Sequence, residues 1–96
     1  MNNQLQLEGV LTEKSILRYT PSGLPVLEFQ LEHQSTQLEA SQERAVHCTL
    51  KCLAIGPMAT RLEQCSLGAS LLLEGFLNRK SQRSNSIRFH VCGVLG

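Results

Sequence analysis

The sequence predicts an all-β domain, a small five-stranded barrel with one short helix between its third and fourth strands. Apolar and polar residues alternate in five separate segments, a period typical of strands with one buried face. Proline and glycine, which favour turns, lie between several of these segments. A single segment near the middle of the chain instead has apolar residues at helical spacing. The 96 residues fit one domain, which we expect to cover residues 1–96.

The first two predicted strands are joined by the clearest turn of the chain. From Leu5 to Leu11, apolar residues and glycine alternate with mostly polar ones, which predicts a strand over about residues 4–13. The segment Thr20–Pro25 contains a proline that fixes φ and a glycine that accepts positive φ, so it predicts a turn. Alternation resumes from Leu27 to His33 and predicts the second strand of a hairpin.

A polar segment separates the second predicted strand from the third. Residues 34–44 are almost all polar and predict a mobile loop. Alternation from Val46 to Cys52 then predicts a third strand with a polar, partly basic outer face. The alternation is lost over residues 53–55, as a β-bulge or a strand end covered on both faces would produce.

A short helix leads to the fourth predicted strand. Met58, Leu62 and Cys65 follow Pro57 at i, i+4 and i+7 spacing, which predicts an amphipathic helix of two to three turns. Leucine and glycine then alternate with other residues over residues 71–77, which predicts the fourth strand.

A basic loop and a fifth strand complete the prediction. The loop extends from Arg79 to Ser86 and is polar throughout. The fifth strand alternates from Ile87 to Leu95. Its pattern places Ile87, Phe89 and Leu95 toward the core and Arg88 on the outer face.

The predicted order of elements, β-β-β-α-β-β, is that of the OB-fold. An open sheet of five strands leaves two edges unpaired, and closure into a small barrel removes them. Gly9, Gly75 and Gly93 lie inside predicted strands and suit the sharp bends of such a barrel. The main alternative, an SH3-like barrel, has no helix between its third and fourth strands. OB-folds commonly bind an oligonucleotide on their second and third strands and on two loops.

The strongest functional signal is an uneven distribution of charge. The formal net charge is only +1, but the last 22 residues contain four basic residues and no acidic one. A basic segment of this kind points to a polyanionic partner. We therefore predict that Arg79, Lys80 and Arg83 in the last loop, and Arg88 just after it, contact nucleic acid. The alternative is a loop that is basic only for solubility.

Further candidates for nucleic-acid binding lie on the first turn and the third strand. Arg18 and Tyr19 precede the turn and would supply a cation and a stacking ring at its rim, unless Tyr19 only packs over the turn. His47 and Lys51 lie on the outer face of the third strand, where bases would cross. The alternative for this face is a solvated surface or a dimer contact. Phe76 is out of phase with its strand and would either stack on a base or lie in a subunit interface.

The remaining aromatic, histidine and cysteine residues, which form binding or metal sites in other proteins, have a structural interpretation here. Phe29 and Phe89 are in phase with the core, and His33 is expected to be a satisfied structural histidine rather than a ligand. The four cysteines include no CxxC pair, so we expect them to be small buried residues in a reducing compartment. A zinc site built from these cysteines and the histidines is possible on residue count alone, without a recognisable ligand spacing.

The sequence contains no arrangement of residues that indicates catalysis. Its eight glutamates form no paired-carboxylate motif, and it has no nucleophile motif or phosphate-binding glycine loop. We therefore predict a protein that is not an enzyme and that needs no cofactor or metal. The chain lacks the basic and apolar regions of a signal peptide, and no apolar run approaches the ~18 residues of a membrane span. We expect a cytoplasmic protein without a membrane partner.

Four segments of the chain resemble one bacterial family. The segments Leu5–Gly9, Pro21–Pro25, Phe29–Ser35 and Glu74–Leu77 are similar to the primosomal replication protein N (PriB) family, a relative of bacterial single-stranded DNA-binding protein. The resemblance covers about residues 4–95. It implies an OB-fold homodimer that binds single-stranded DNA without sequence preference during replication restart.

The resemblance also implies protein partners, and this sequence departs from the family pattern at some positions of the binding site. It implies docking on the PriA helicase and transfer to other primosome proteins, with single-stranded DNA-binding protein as a further possible partner. A tryptophan is expected from the resemblance at the position of His47, and basic residues are expected at Leu17 and Gln34. These departures affect the expected affinity for DNA more than the expected fold.

Apolar residues outside the predicted core favour a homodimer. Alternation along the predicted strands directs five apolar residues away from the core: Val10, Val26, Leu72, Phe76 and Val94. Single-stranded DNA binding in primosome assembly is the leading hypothesis. A protein-interaction adaptor on an OB scaffold and an RNA-binding OB domain are the alternatives. The adaptor is kept because aromatic residues make up only 4% of the chain, and each base stacked on an aromatic ring contributes about 1–3 kcal/mol.

Overall fold

The computed structural model describes residues 1–96 and contains six strands and one helix. The strands are β1 Leu5–Lys14, β2 Arg18–Tyr19, β3 Pro25–Glu39, β4 Gln42–Ile55, β5 Ser70–Arg79 and β6 Ile87–Val94, and the helix is α1 Pro57–Glu63. β2 has only two residues, so the predicted second to fifth strands correspond to β3, β4, β5 and β6. The helix lies between β4 and β5, as predicted.

β1 closes the sheet into a barrel because it pairs with a different strand at each end. Its first half, Leu5–Val10, pairs with β5, and its second half, Val10–Lys14, pairs with β3. The ring of strands is completed from β5 through β6 and β4 to β3. All of these pairs are antiparallel except β4 and β6, which pair in parallel over only two residue pairs. Five main strands and one helix in this connectivity confirm the predicted OB-fold.

The core lies inside the barrel and under α1. It consists of Leu11, Leu27, Phe29, Leu31, Cys52, Ala54, Ala59, Leu62, Leu73, Phe89 and Val91. The helix buries Ala59 and Leu62 completely, while Met58 and Cys65 pack against the core and remain partly exposed. The helical spacing therefore predicted the correct face of α1, although it missed Ala59.

α1 is held at both of its ends. Pro57 occupies the first turn, where a missing N–H leaves no hydrogen bond unmade. At the other end, Lys14 Nζ donates hydrogen bonds to the carbonyl oxygens of Glu63 and Cys65, at 2.7 and 2.6 Å. Its positive charge lies at the negative end of the helix dipole and satisfies carbonyl groups that have no helical partner. No helix in the structure has the length and apolar character needed to cross a membrane.

A long β-ribbon replaces the mobile loop predicted for residues 34–44. β3 and β4 pair without interruption from Val26–Ile55 to Glu39–Gln42. Ala40 and Ser41 between them both have positive φ, 52° and 64°, as a two-residue type I′ hairpin requires. The prediction was wrong because the ribbon extends beyond the core. Both of its faces meet solvent there, so its strands show no apolar alternation.

At the start of β6 the exposure of two residues differs from the expectation, although Phe89 is buried in the core as predicted. Ile87, expected in the core, is 53% exposed, whereas Arg88, expected on the outer face, is only 9% exposed. Pairing with β4 begins only at Phe89, so Ile87 lies beyond the part of β6 that covers the core. Leu95, also expected in the core, lies beyond the end of β6 and is exposed.

Two smaller expectations also change. The uninterrupted register of β3 and β4 excludes a β-bulge at residues 53–55, where Ala54 is buried and Leu53 is half-buried. The other alternative, a strand end covered on both faces, holds only in part, because Ile55 on the same face as Leu53 is 45% exposed. Val26 was counted among the apolar residues outside the core, but the structure buries it. Val10 and Phe76 remain exposed.

Gly75 lies where β5 and β6 approach each other most closely. The pairing register of the two strands shifts between Glu74 and Gly75. A Cβ atom at Gly75 would lie 1.8 Å from the carbonyl oxygen of His90, far inside contact distance. This position therefore requires glycine for close backbone approach, in agreement with the bend expected there.

Candidate nucleic-acid interface

The outer side of β3 and β4 presents a polar surface, which we call the β3–β4 face. Alternation along the strands directs these side chains away from the core residues Phe29 and Leu31. Three cross-strand pairs form it: Gln30–Lys51, Glu32–Thr49 and Gln34–His47. Glu28 extends the row toward the start of β3. The predicted position of His47 and Lys51 on this outer face is thus observed.

A groove with a volume of about 230 Å³ opens between β1, β3, β4 and β6. Its walls include Glu28, Gln30 and Lys51 from the β3–β4 face and Arg88 from β6. The Arg88 side chain is part of this wall, and its Nη1 donates a hydrogen bond to the carbonyl oxygen of Ile87 at 3.2 Å. Arg88 therefore reaches the groove from a buried position rather than from an exposed one.

Several of the predicted cations converge on Glu28. Arg18 Nη1 donates to Glu28 Oε2 at 2.5 Å. This hydrogen bond is the main reason why the pKa of Glu28 lies below its usual value; partial burial opposes the shift, and the charges of Lys80 and Arg88 add to it. The first turn, the last loop and β6 thus bring three positive charges to one carboxylate, with Lys51 on the same groove.

The last loop holds its basic residues in solvent. Arg79 ends β5, and Lys80 and Arg83 follow in the loop, all three exposed. The loop is closed by a hydrogen bond from the Lys80 N–H to the Ser86 carbonyl oxygen at 2.8 Å. The charge of Lys80 favours the ionised form of Glu28 in the groove wall, which links the predicted basic loop to the groove, while Arg79 and Arg83 lie in solvent.

The two predicted stacking residues lie on different strands. Tyr19 is 65% exposed and follows Arg18 in β2, and it does not line the groove. His47 is also well exposed, and its Nε2 lies 3.2 Å from Glu32 Oε1. Lys51 lies four positions after His47 in β4, a distance of about 13 Å along an extended strand. The β3–β4 face therefore has the length for several nucleotides.

The remaining aromatic and histidine candidates occupy other places. Phe76 stacks on His90 with ring centroids 5.0 Å apart, on the outer side of β5 and β6, so one of its faces is covered within the chain. Both ring nitrogens of His33 are hydrogen-bonded. Nδ1 lies 2.6 Å from the Glu8 carbonyl oxygen, and Nε2 lies 2.8 Å from Ser35 Oγ. This confirms the structural interpretation of His33. No three potential metal ligands lie together in the structure.

The sequence reasoning missed the two carboxylates of the site. Glu28 and Glu32 are two of the polar residues that alternate with apolar ones between Leu27 and His33, and this spacing puts them with Gln30 on the predicted binding face. Alternation along the strand was sufficient to find them.

Comparison with known proteins identifies the family. Residues 3–93 match the family described as "another single-strand binding protein family". The replication restart protein PriB of Nitrosomonas europaea is 34% identical over 89 residues, which cover 93% of this chain and 82% of that protein. The chain belongs to the PriB family. PriB of Bordetella pertussis is 35% identical over the same share of the chain and 83% of its own length.

Solved structures extend this PriB assignment to the fold. PriB from Ralstonia solanacearum superposes with a TM-score of 0.91 at 34% identity, covering 98% of this chain and 96% of that one. The single-stranded DNA-binding protein from Thermus aquaticus, in a deletion variant, has a TM-score of 0.76 at 27% identity; it covers 99% of this chain and 51% of its own. The resemblance found in the sequence is thus confirmed, and it spans nearly the whole PriB-family chain.

Proposed function

We propose that this protein binds single-stranded DNA in replication restart, and that the strand crosses the β3–β4 face beside the basic loop. Membership of the PriB family and the likeness to a single-stranded DNA-binding protein support the first part. The observation that carries the second part is the geometry around Glu28 in the groove wall: Arg18 is hydrogen-bonded to this carboxylate, and Lys51 and Arg88 line the same groove.

Phosphate neutralisation supplies most of the binding free energy in this proposal. Arg79, Lys80 and Arg83 contact the DNA backbone, and Arg18, Lys51 and Arg88 continue the positive path along the groove. If three or four phosphates are neutralised per protomer, the slope of log K against log salt is about −2 to −3. Bases stack on Tyr19 and His47, and no base edge is read, so binding is independent of sequence.

The proposed activity is binding without catalysis. The single domain, residues 1–96, acts in the cytoplasm. It forms a homodimer, because Val10 and Phe76 leave apolar surface on the outside of the barrel. The PriA helicase, other primosome proteins and single-stranded DNA-binding protein are its proposed protein partners. Sedimentation at micromolar concentration should give a dimer, and a clean monomer of 10.6 kDa would contradict this part.

Fluorescence anisotropy tests the DNA-binding proposal. Labelled dT, rU and duplex oligonucleotides are titrated at two salt concentrations, and dT should bind more tightly than rU or duplex. Preference for rU would indicate an RNA-binding domain. Absence of binding to all three would leave a protein-interaction adaptor.

A charge-matched pair of variants locates the site. Lys80→Ala with Arg83→Ala should weaken dT and dC binding alike and flatten the salt slope. Arg44→Ala with Arg61→Ala removes the same charge from an outer ribbon position and from α1, and should leave the slope unchanged. Equal effects of both double variants would place the DNA path elsewhere.

A further inference from the structure

The β3–β4 face carries two negative charges in the path proposed for DNA. Glu28 and Glu32 lie on the same face of β3, with Gln30 between them and pairing opposite Lys51. A phosphate backbone that follows this face passes both carboxylates. Like charges at such distances oppose binding, so a face used only to attract phosphate has no need of them.

Each of these carboxylates already holds one of the predicted DNA-binding cations. Glu28 accepts a hydrogen bond from Arg18, and the Glu28 side chain is 30% exposed. Glu32 lies 3.2 Å from the imidazole of His47, and the Glu32 side chain is 40% exposed. Both pairs are open to solvent, so an incoming phosphate can displace the carboxylate without moving the backbone.

The two pairs differ in how firmly the cation is held. Arg18 is permanently charged, and Lys80 and Arg88 also favour the ionised form of Glu28. His47, by contrast, carries a positive charge only when it is protonated, so its contact with Glu32 is not always an ion pair. Glu28 therefore competes with a phosphate for its cation more strongly than Glu32 does.

We infer that Glu28 and Glu32 compete with DNA phosphates for Arg18 and His47 and thereby set a low affinity for single-stranded DNA. The inference rests on the proposed function, because it assigns residues that determine affinity on the same face. Bound DNA takes over each cation from its carboxylate. The strand is thus held loosely enough to leave when another protein competes for it.

Glutamine variants test the competition. Glu28→Gln and Glu32→Gln keep the shape of each side chain and remove its charge. At pH 8 and low salt, Glu28→Gln should bind labelled dT more tightly by up to about five-fold, the upper end of the range expected for a released exposed ion pair. The slope of log K against log salt should become steeper by about 0.7, since one more cation is available for phosphate. Glu32→Gln should give a smaller gain.

A control and a double-mutant cycle separate competition from net charge. Glu63→Gln makes the same change of charge on α1, at a residue that does not line the groove, and should leave affinity within two-fold of the wild type. In an Arg18→Gln background, Glu28→Gln should lose most of its gain, because no cation remains to be released. A gain that persists in this background, or that Glu63→Gln reproduces, would overturn the inference.

The outcome for the wild type distinguishes the inference from the proposed function. Wild-type binding without any gain in Glu28→Gln contradicts the inference alone. Binding that appears only after Glu28→Gln supports it strongly. If neither the wild type nor any glutamine variant binds dT, the proposed function fails and the inference fails with it.

Discussion

Substitution of Gly75 by alanine should destabilise the barrel severely. The new Cβ would lie 1.8 Å from the His90 carbonyl oxygen, whereas real Cβ atoms stay beyond about 3.0 Å. β5 and β6 must therefore separate by roughly 1.2 Å, which stretches hydrogen bonds of about 2.9 Å beyond their useful range. Loss of two or three ladder bonds, each worth about 1 kcal/mol, lowers the free energy of unfolding by about 2–3 kcal/mol. This is a large part of the stability of a small domain.

Urea unfolding followed by circular dichroism measures this loss of stability. Gly93→Ala is the matched control, since its Cβ would meet only the flexible side chain of Glu74, at 2.8 Å from Oε1. That side chain can turn away, so the control should lose less than about 1 kcal/mol. Equal unfolding midpoints for Gly75→Ala and the wild type would refute the close approach of the two strands.

Three further predictions concern a helix end, a half-buried histidine and the binding face. Lys14→Met should lower the free energy of unfolding by about 1–2 kcal/mol, because two carbonyl groups at the end of α1 lose a charged donor, while Lys51→Met should change it little in the same urea titration. Burial lowers the pKa of His90, so the unfolded chain binds this proton more tightly and stability should fall as pH decreases below about 6.5. The urea midpoint should therefore be lower at pH 5.5 than at pH 7.5. His90→Phe, which keeps the stack on Phe76, should remove the part of this difference that His90 causes. DNA affinity of the wild type should rise between pH 8 and 6, where histidine gains charge, and His47→Ala should abolish this rise. His47→Trp should also abolish it but bind DNA more tightly through stacking. The same pH profile for the wild type and both variants would exclude His47 from the DNA path.

The barrel was predictable because its core imposes a period on the sequence. Leu27, Phe29 and Leu31 alternate with polar residues since one face of β3 is buried and the other is wet. The outer half of β3, beyond His33, lies where no core exists. There the same backbone pairing continues with polar residues on both faces, so the sequence resembled a loop.

The candidate site was predictable in its composition but not in its contacts. The basic loop and the outer position of His47 follow from charge and alternation. The burial of Arg88 does not, because it depends on Glu28 and on chain segments far away in sequence. Nor does the pairing of Arg18 with Glu28, since the turn between them decides whether the two side chains meet.

The β3–β4 ribbon gives the molecule one part that can open while the rest stays folded. Beyond His33, each of its strands pairs only with the other, and the molecule measures 49 Å along its longest axis. Opening of the ribbon from the Ala40–Ser41 turn exposes backbone amides but no core residue, so it needs far less free energy than global unfolding. Hydrogen exchange of these amides should therefore slow steadily from the tip of the ribbon toward the barrel.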